Sequence, residues 1–187
     1  MRGPNVIPGY YKNDEKNKET FEDGWCKSGD IVMMSGPTKH LTIIDRKKNI
    51  FKLSQGEYIA PEKLETVYKK SVPGIENLFV YGDSHQSYLV AIVNMSEGGV
   101  KKLAQENGIE LSEDLKKTAN SEAFKDILRK AFARDQKKAK FNGLERIKKF
   151  FVDIASFEQL GLLTNSFKLK RKQVIAYYKD YFDQMYE

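Results

Sequence analysis

The sequence predicts an α+β fold, and three observations carry that prediction. Short runs of β-branched and apolar residues, separated by glycine turns, fill most of the first half of the chain. Residues 98 to 140 place apolar side chains at helical spacing. The chain then closes on a stripe, Val174, Tyr177, Tyr178, Tyr181, Phe182 and Met185, spaced as a packed helix requires.

Taken in order, Asn13 to Phe21 is polar and starts with Asn13 and Asp14, which suits a short surface helix ended by Gly24. Trp25 to Met34 and Leu41 to Ile44 are strand-like and flank Ser35-Gly36-Pro37-Thr38, a hairpin signature. Ile50 to Leu53 is a further short strand, stopped at Ser54-Gln55-Gly56. Ala60-Pro61-Glu62 opens a helix: the missing N–H of proline costs nothing in the first turn, and Glu62 meets the positive end of the dipole. Leu64, Val67 and Tyr68 form its buried stripe. Leu78 to Tyr81 and Tyr88 to Met95 are two strands joined at Gly82-Asp83-Ser84, and their nearly unbroken apolar character predicts a sheet covered on at least one face. Between 98 and 140, Phe124, Ile127, Leu128, Ala131 and Phe132 mark an inner face opposite Lys125, Asp126, Arg129 and Lys130. Phe150 to Ile154 returns to strand character before the aromatic helix.

Composition narrows the function. Apolar residues make up 40% of the 187 and charged residues 31%, as in a soluble globular chain. No stretch approaches the ~18 apolar residues of a membrane-spanning helix, and the N-terminus carries no apolar signal-peptide core. One cysteine, Cys26, excludes a disulfide framework and a multi-cysteine metal site, and fits a reducing compartment. The net charge of +6 favours anionic partners without choosing among nucleic acid, anionic lipid and phosphates. Phosphate-binding GxxxxGK[ST] loops, GxGxxG turns and GxSxG elbows are absent, and His40 and His85 have no ligand spacing, so a self-contained kinase, dehydrogenase or hydrolase is disfavoured.

Three segments remain as candidates for chemistry. In Gly24-Trp25-Cys26-Lys27-Ser28-Gly29-Asp30 a carboxylate follows a glycine turn and could take two ribose hydroxyls, although an ordinary turn aspartate reads the same. Ile44 to Glu65 places Arg46, Lys47, Lys48 and Lys52 ahead of a glycine loop at Gly56; a plain basic hairpin is the simpler reading. In Leu163 to Arg171, Lys168 stands at a loop tip before a helix, where it can reach a phosphate or carboxylate as a point charge.

Together, in this order and spacing, the three resemble the adenylate-forming superfamily, and the wording Gln55-Gly56-Glu57-Tyr58-Ile59-Ala60-Pro61-Glu62 is most similar to long-chain acyl-CoA synthetases. Arg2-Gly3-Pro4-Asn5-Val6 and Gly9-Tyr10-Tyr11-Lys12 resemble the same family. The resemblance implies the C-terminal part of such a ligase: residues 1–45 as a β-hairpin remnant of the large N-terminal domain, and 46–187 as a mobile lid with a small mixed sheet, flanking helices and a helical segment at 98–140. It further implies ATP, Mg²⁺ and coenzyme A, with the Mg²⁺ ligands in the large domain, and a fatty acid as the acyl donor. Asp30 would hold the ribose, Arg46 the nucleotide beside it, and Lys48 the hinge on which the lid turns between half-reactions. Lys168 would be the adenylation lysine, while Lys52 and the Gly56 loop would serve thioester formation, with no role given to Glu57. The chain departs from the superfamily pattern at Phe167, where glycine is common, and at Asn165, where proline is expected. Lacking the phosphate loop and acyl tunnel, it is expected to be silent alone. The resemblance also implies the cytoplasm or the cytosolic face of a membrane, compatible with peripheral attachment. The competing reading is a basic module using Lys137–Lys149 and Lys168–Lys172 on nucleic acid or anionic membrane; it leaves the ordered motifs unexplained, so no nucleic-acid partner is expected.

Overall fold

The computed structural model describes residues 1–187, which divide into two compact units, Met1–Lys48 and Asn49–Glu187. No helix is long and apolar enough to cross a membrane.

In the first unit, helix α1 (Asp14–Thr20) starts at Asn13, whose side chain accepts from the Lys16 amide at 3.1 Å. Strands β1 (Phe21–Glu22) and β2 (Trp25–Cys26) then pair across Asp23-Gly24, both with positive φ, as a two-residue hairpin turn demands. The single run expected from Trp25 to Met34 is therefore split. Gly29, at φ +73, turns the chain before β3 (Asp30–Ser35), which pairs with β4 (His40–Arg46). Within this unit the ribbon exposes Val32, Met33, Met34, Leu41 and Ile43.

The second unit opens with a minimal hairpin, β5 (Phe51–Lys52) and β6 (Tyr58–Ile59), and helix α2 (Pro61–Lys69). Its centre is a three-stranded sheet of β7 (Ile75–Tyr81), β8 (Leu89–Met95) and a late strand, β9 (Ile147–Asp153). Strand β7 runs antiparallel to β8 and β9 runs parallel to it, so the sheet is mixed. Between β8 and β9 lie α3 (Glu97–Glu106), α4 (Leu115–Asn120) and α5 (Glu122–Lys138), capped by the side chains of Ser96, Asp114 and Ser121.

The apolar run of β8 is buried along its whole length because both faces are covered. Leu89, Ala91, Val93 and Met95 join Leu64, Tyr68, Phe124 and Leu128 in one core. Val90 and Ile92 join Phe79, Phe157, Val174, Tyr178 and Phe182 in a second. The second core is closed by α6 (Arg171–Tyr177) and α7 (Lys179–Tyr186), where one helix was expected. The break falls at Tyr178, whose hydroxyl donates to buried Asp153 at 2.8 Å. Val174, Tyr178, Phe182 and Met185 are buried, but Tyr177 is 51% exposed and leaves the expected stripe. Ile127, Ala131 and Val67 are half-buried at the flanks of their helices.

Side chains partner one backbone position on each open edge of the sheet. On β9, Asn120 accepts from the Val152 amide at 3.0 Å and donates to the Val152 carbonyl at 2.7 Å. On β7, Glu65 accepts from the Val80 amide at 2.9 Å and Arg171 donates to the Val80 carbonyl at 3.0 Å. An edge strand otherwise presents these groups to other chains.

Gly74 and Gly99 press backbone on backbone: a Cβ on Gly99 would stand 2.7 Å from the Gly74 Cα. Gly99→Ala is thus expected to destabilise the protein by about 1–3 kcal/mol through overpacking. Gly98→Ala, where nothing lies within 4 Å, should be neutral or stabilising by up to about 1 kcal/mol. Urea denaturation of the two neighbouring variants checks this directly.

Candidate functional site

In the first unit, Asp30 opens β3 and Arg46 closes β4, and the register sets them opposite one another. The Arg46 Nε lies 2.9 Å from the Asp30 carboxylate, and its Nη1 donates to the Ser28 carbonyl at 3.4 Å. The Ser28 hydroxyl accepts from the Asp30 amide at 3.2 Å, and the Lys47 amide donates to the Gly29 carbonyl at 2.8 Å. The turn at Gly29 thus holds a carboxylate and a guanidinium side by side. Arg46 is exposed, so the pair itself adds at most about 1 kcal/mol. Lys48 is the last residue of this unit.

In the second unit, Lys52 and Gly56 share the β5–β6 hairpin. The Gly56 amide donates to the Leu53 carbonyl and the Leu53 amide to the Glu57 carbonyl, each at 2.9 Å. This closure needs Gly56 at φ +87, a left-handed conformation that glycine adopts freely. Lys52 is paired with Tyr58 and its Nζ lies 5.7 Å from the Tyr58 ring centre. Buried Leu53 and Ile59 root the hairpin, while Gln55 donates to the Ser87 carbonyl at 2.9 Å and ties its tip to the loop after β7. Lys52 and Gly56 are exposed.

Lys168 sits on a separate loop between β9 and α6, closed at its stem by a bridge between Leu163 and Leu169. The Thr164 amide donates to the Lys168 carbonyl at 2.8 Å, and the Thr164 hydroxyl accepts from the Lys168 amide at 3.1 Å. Lys168 is exposed. Phe167 adopts φ +57, the conformation for which glycine is suited, and is 69% exposed. It lines, with Leu163 and Phe157, a cleft of about 270 Å³.

Two residues near these loops escaped the sequence reading. Glu65 is only 8% exposed, and the Arg171 Nη1 donates to its two oxygens at 2.8 and 3.0 Å. The guanidinium also lies 4.4 Å from the Phe79 ring centre. Burial pushes the Glu65 carboxyl up from its ordinary range, against the pull of Arg171 and the Val80 amide. The available signal was a carboxylate beside Leu64 and Tyr68 on an apolar helix face, which calls for a buried cation. No group of three or more His, Cys, Asp or Glu side chains is placed to hold a metal ion.

No protein-family profile matches the chain. Its structure superimposes on the adenylation domain of a carboxylate reductase from Mycobacterium chelonae with a TM-score of 0.77 and 32% identity, over 96% of this chain and 26% of that one. The adenylation and carrier didomain of a carboxylic acid reductase from Segniliparus rugosus, in complex with AMP, gives 0.79 and 30%, over 97% and 23%. The fold is therefore that of the C-terminal region of adenylate-forming enzymes. In sequence the chain is 40% identical to long chain acyl-CoA synthetase 3 of Arabidopsis thaliana and 43% identical to fatty acyl-CoA synthetase A of Dictyostelium discoideum, over 100% of this chain and 28% of each relative. A long-chain-fatty-acid–CoA ligase of Mus musculus is 38% identical, again over 100% of this chain and 26% of the relative. The chain belongs with the C-terminal part of the long-chain acyl-CoA synthetases and spans about a quarter of their length.

The left-handed backbone at Phe167 costs a side-chain-bearing residue roughly 1–2 kcal/mol. Phe167→Gly is expected to raise stability by about 0.5–1 kcal/mol and Phe167→Ala, which keeps the Cβ, to leave it unchanged or lower. Chemical denaturation of both variants distinguishes them.

Proposed function

We propose that this chain is the C-terminal part of a long-chain fatty-acid–CoA ligase that works through acyl-AMP. The reading rests above all on the match, over the whole chain, to the C-terminal part of long-chain acyl-CoA synthetases. In the first half-reaction a fatty-acid carboxylate oxygen bonds to the α-phosphorus of ATP and pyrophosphate leaves. In the second, the thiol sulfur of coenzyme A bonds to the acyl carbon, losing its proton, and AMP leaves.

Asp30 and Arg46 serve the nucleotide. The Asp30 carboxylate has more acceptor sites than its pairing with Arg46 uses, so it can still take ribose hydroxyls. Lys168 places its charge between the attacking carboxylate and the α-phosphate, where negative charge is crowded in the transition state. Lys52 and the Gly56 loop serve the thioester step: a glycine with only the Lys52 Cε, at 3.6 Å, near its missing Cβ lets a pantetheine chain approach the backbone. Lys48 is the hinge, and support for this comes from the division of the chain into compact units directly after it. Mg²⁺, if the reaction uses it, offsets phosphate charge when bound, from ligands outside this chain.

Two assays on the full-length ligase test the assignment. Lys168→Ala is expected to slow pyrophosphate release from ATP and palmitate by about 10²–10³-fold, and to leave thioester formation from pre-formed palmitoyl-AMP and coenzyme A near its wild-type rate. Normal rates in both would make Lys168 an ordinary surface cation.

A further inference from the structure

The Lys168 loop is internally closed, and its stem packs on the second core through Leu162, Leu163 and Leu169. Its stem is held by the Leu163–Leu169 bridge and by the Lys170 amide donating to the Leu162 carbonyl at 2.9 Å. These bonds make the loop a unit; they do not set where that unit stands. The next residue but two after Lys168 is Arg171, the first residue of α6, and it ties this stretch to α2 and β7 by hydrogen bonds. Its guanidinium grips both oxygens of Glu65 on α2, donates to the Val80 carbonyl on β7 and lies over Phe79. Glu65 in turn takes the Val80 amide. One planar fork therefore joins α6, α2 and β7 in directions that fix its orientation as well as its distance. Helix α2 is also the element that follows the β5–β6 hairpin, so the same clamp lies between the chain segments that carry Lys52 and Lys168.

We propose that Arg171 is a positioning residue for adenylation: its clamp on Glu65 and Val80 sets the place of Lys168 at the reacting phosphate. The proposal rests on the reading of Lys168 given above. A charge acting on a transition state must stand at a particular point, and a displacement of about 1 Å can cost on the order of 10²-fold in rate. Lysine in place of Arg171 cannot reproduce the clamp, since a single ammonium nitrogen lacks the two rigidly held nitrogens that reach Glu65 and the Val80 carbonyl at once.

The test uses the full-length ligase with four variants: Arg171→Met, Arg171→Lys, the double variant Glu65→Met with Arg171→Met, and Lys168→Ala. The double variant removes both charges together and keeps an apolar filling, so it guards against simple unfolding of the single one. Thermal melting, pyrophosphate release and thioester formation from pre-formed palmitoyl-AMP are measured for each. The expected result is that the double variant melts above Arg171→Met, though below wild type because the Val80 amide and carbonyl lose their partners, yet releases pyrophosphate about 10²-fold more slowly than wild type, with its KM for ATP within about threefold and its thioester step within about threefold. Arg171→Lys should recover less than a tenth of the lost rate. If the double variant regains the wild-type rate, or if both half-reactions fall together, the pair is only packing and the proposal is overturned. A normal pyrophosphate rate in Lys168→Ala would instead remove the underlying reading, an outcome separate from the first two.

Discussion

The parallel pairing of β9 on β8 is the constraint from which most of the second unit follows. Antiparallel neighbours such as β7 and β8 need only a turn between them, but a parallel neighbour needs a crossover of a dozen or more residues. Here the crossover is α3, α4 and α5, and their apolar sides fill one face of the sheet. The other face must then be covered by chain that comes after β9, which is the work of α6 and α7. The loop bearing Lys168 is the link between these two stages. Its location is thus a product of topology, decided before any chemistry is asked of it.

The sheet has only three strands, so two of its strands are edges. On each, side chains imitate a missing neighbour at one position, Asn120 at Val152 and the Glu65–Arg171 pair at Val80. The two solutions differ in what they risk. An amide is neutral and its loss leaves ordinary unsatisfied groups, whereas removing one member of a buried ion pair strands the other and costs about 3–5 kcal/mol. The Asp30–Arg46 pair of the first unit is a milder case, since its arginine is exposed and screened by water, and its geometry matters for what it can present to a ligand.

Legibility in the sequence followed the length and periodicity of each signal. The α+β class, the helix at Pro61, the strand pair of β7 and β8 and the helical stretch before β9 were readable because each repeats a pattern over several residues. The β1–β2 hairpin was not, because two-residue strands have no period and the Asp23-Gly24 turn was read only as the end of a helix. The break at Tyr178 was hidden for a different reason. Tyr178 is held there by a hydrogen bond to Asp153, distant in sequence, and local propensity carries no trace of that contact. Among the candidate site residues, Asp30 and Arg46 were named separately and the β3–β4 register brings them into contact. Glu65 and Arg171 were hidden inside a motif and a basic run, where each has the appearance of one more surface charge.

The β3–β4 ribbon bears on how the molecule can be handled. Both of its strands carry exposed apolar side chains. A ribbon of that kind pairs readily with copies of itself, since its edges offer unsatisfied amides and its faces offer dry contact. The unit from Asn49 onward, by contrast, buries its apolar side chains in two cores. The exposed apolar side chains of the chain are therefore concentrated on this ribbon, while the second unit keeps most of its own inside two cores.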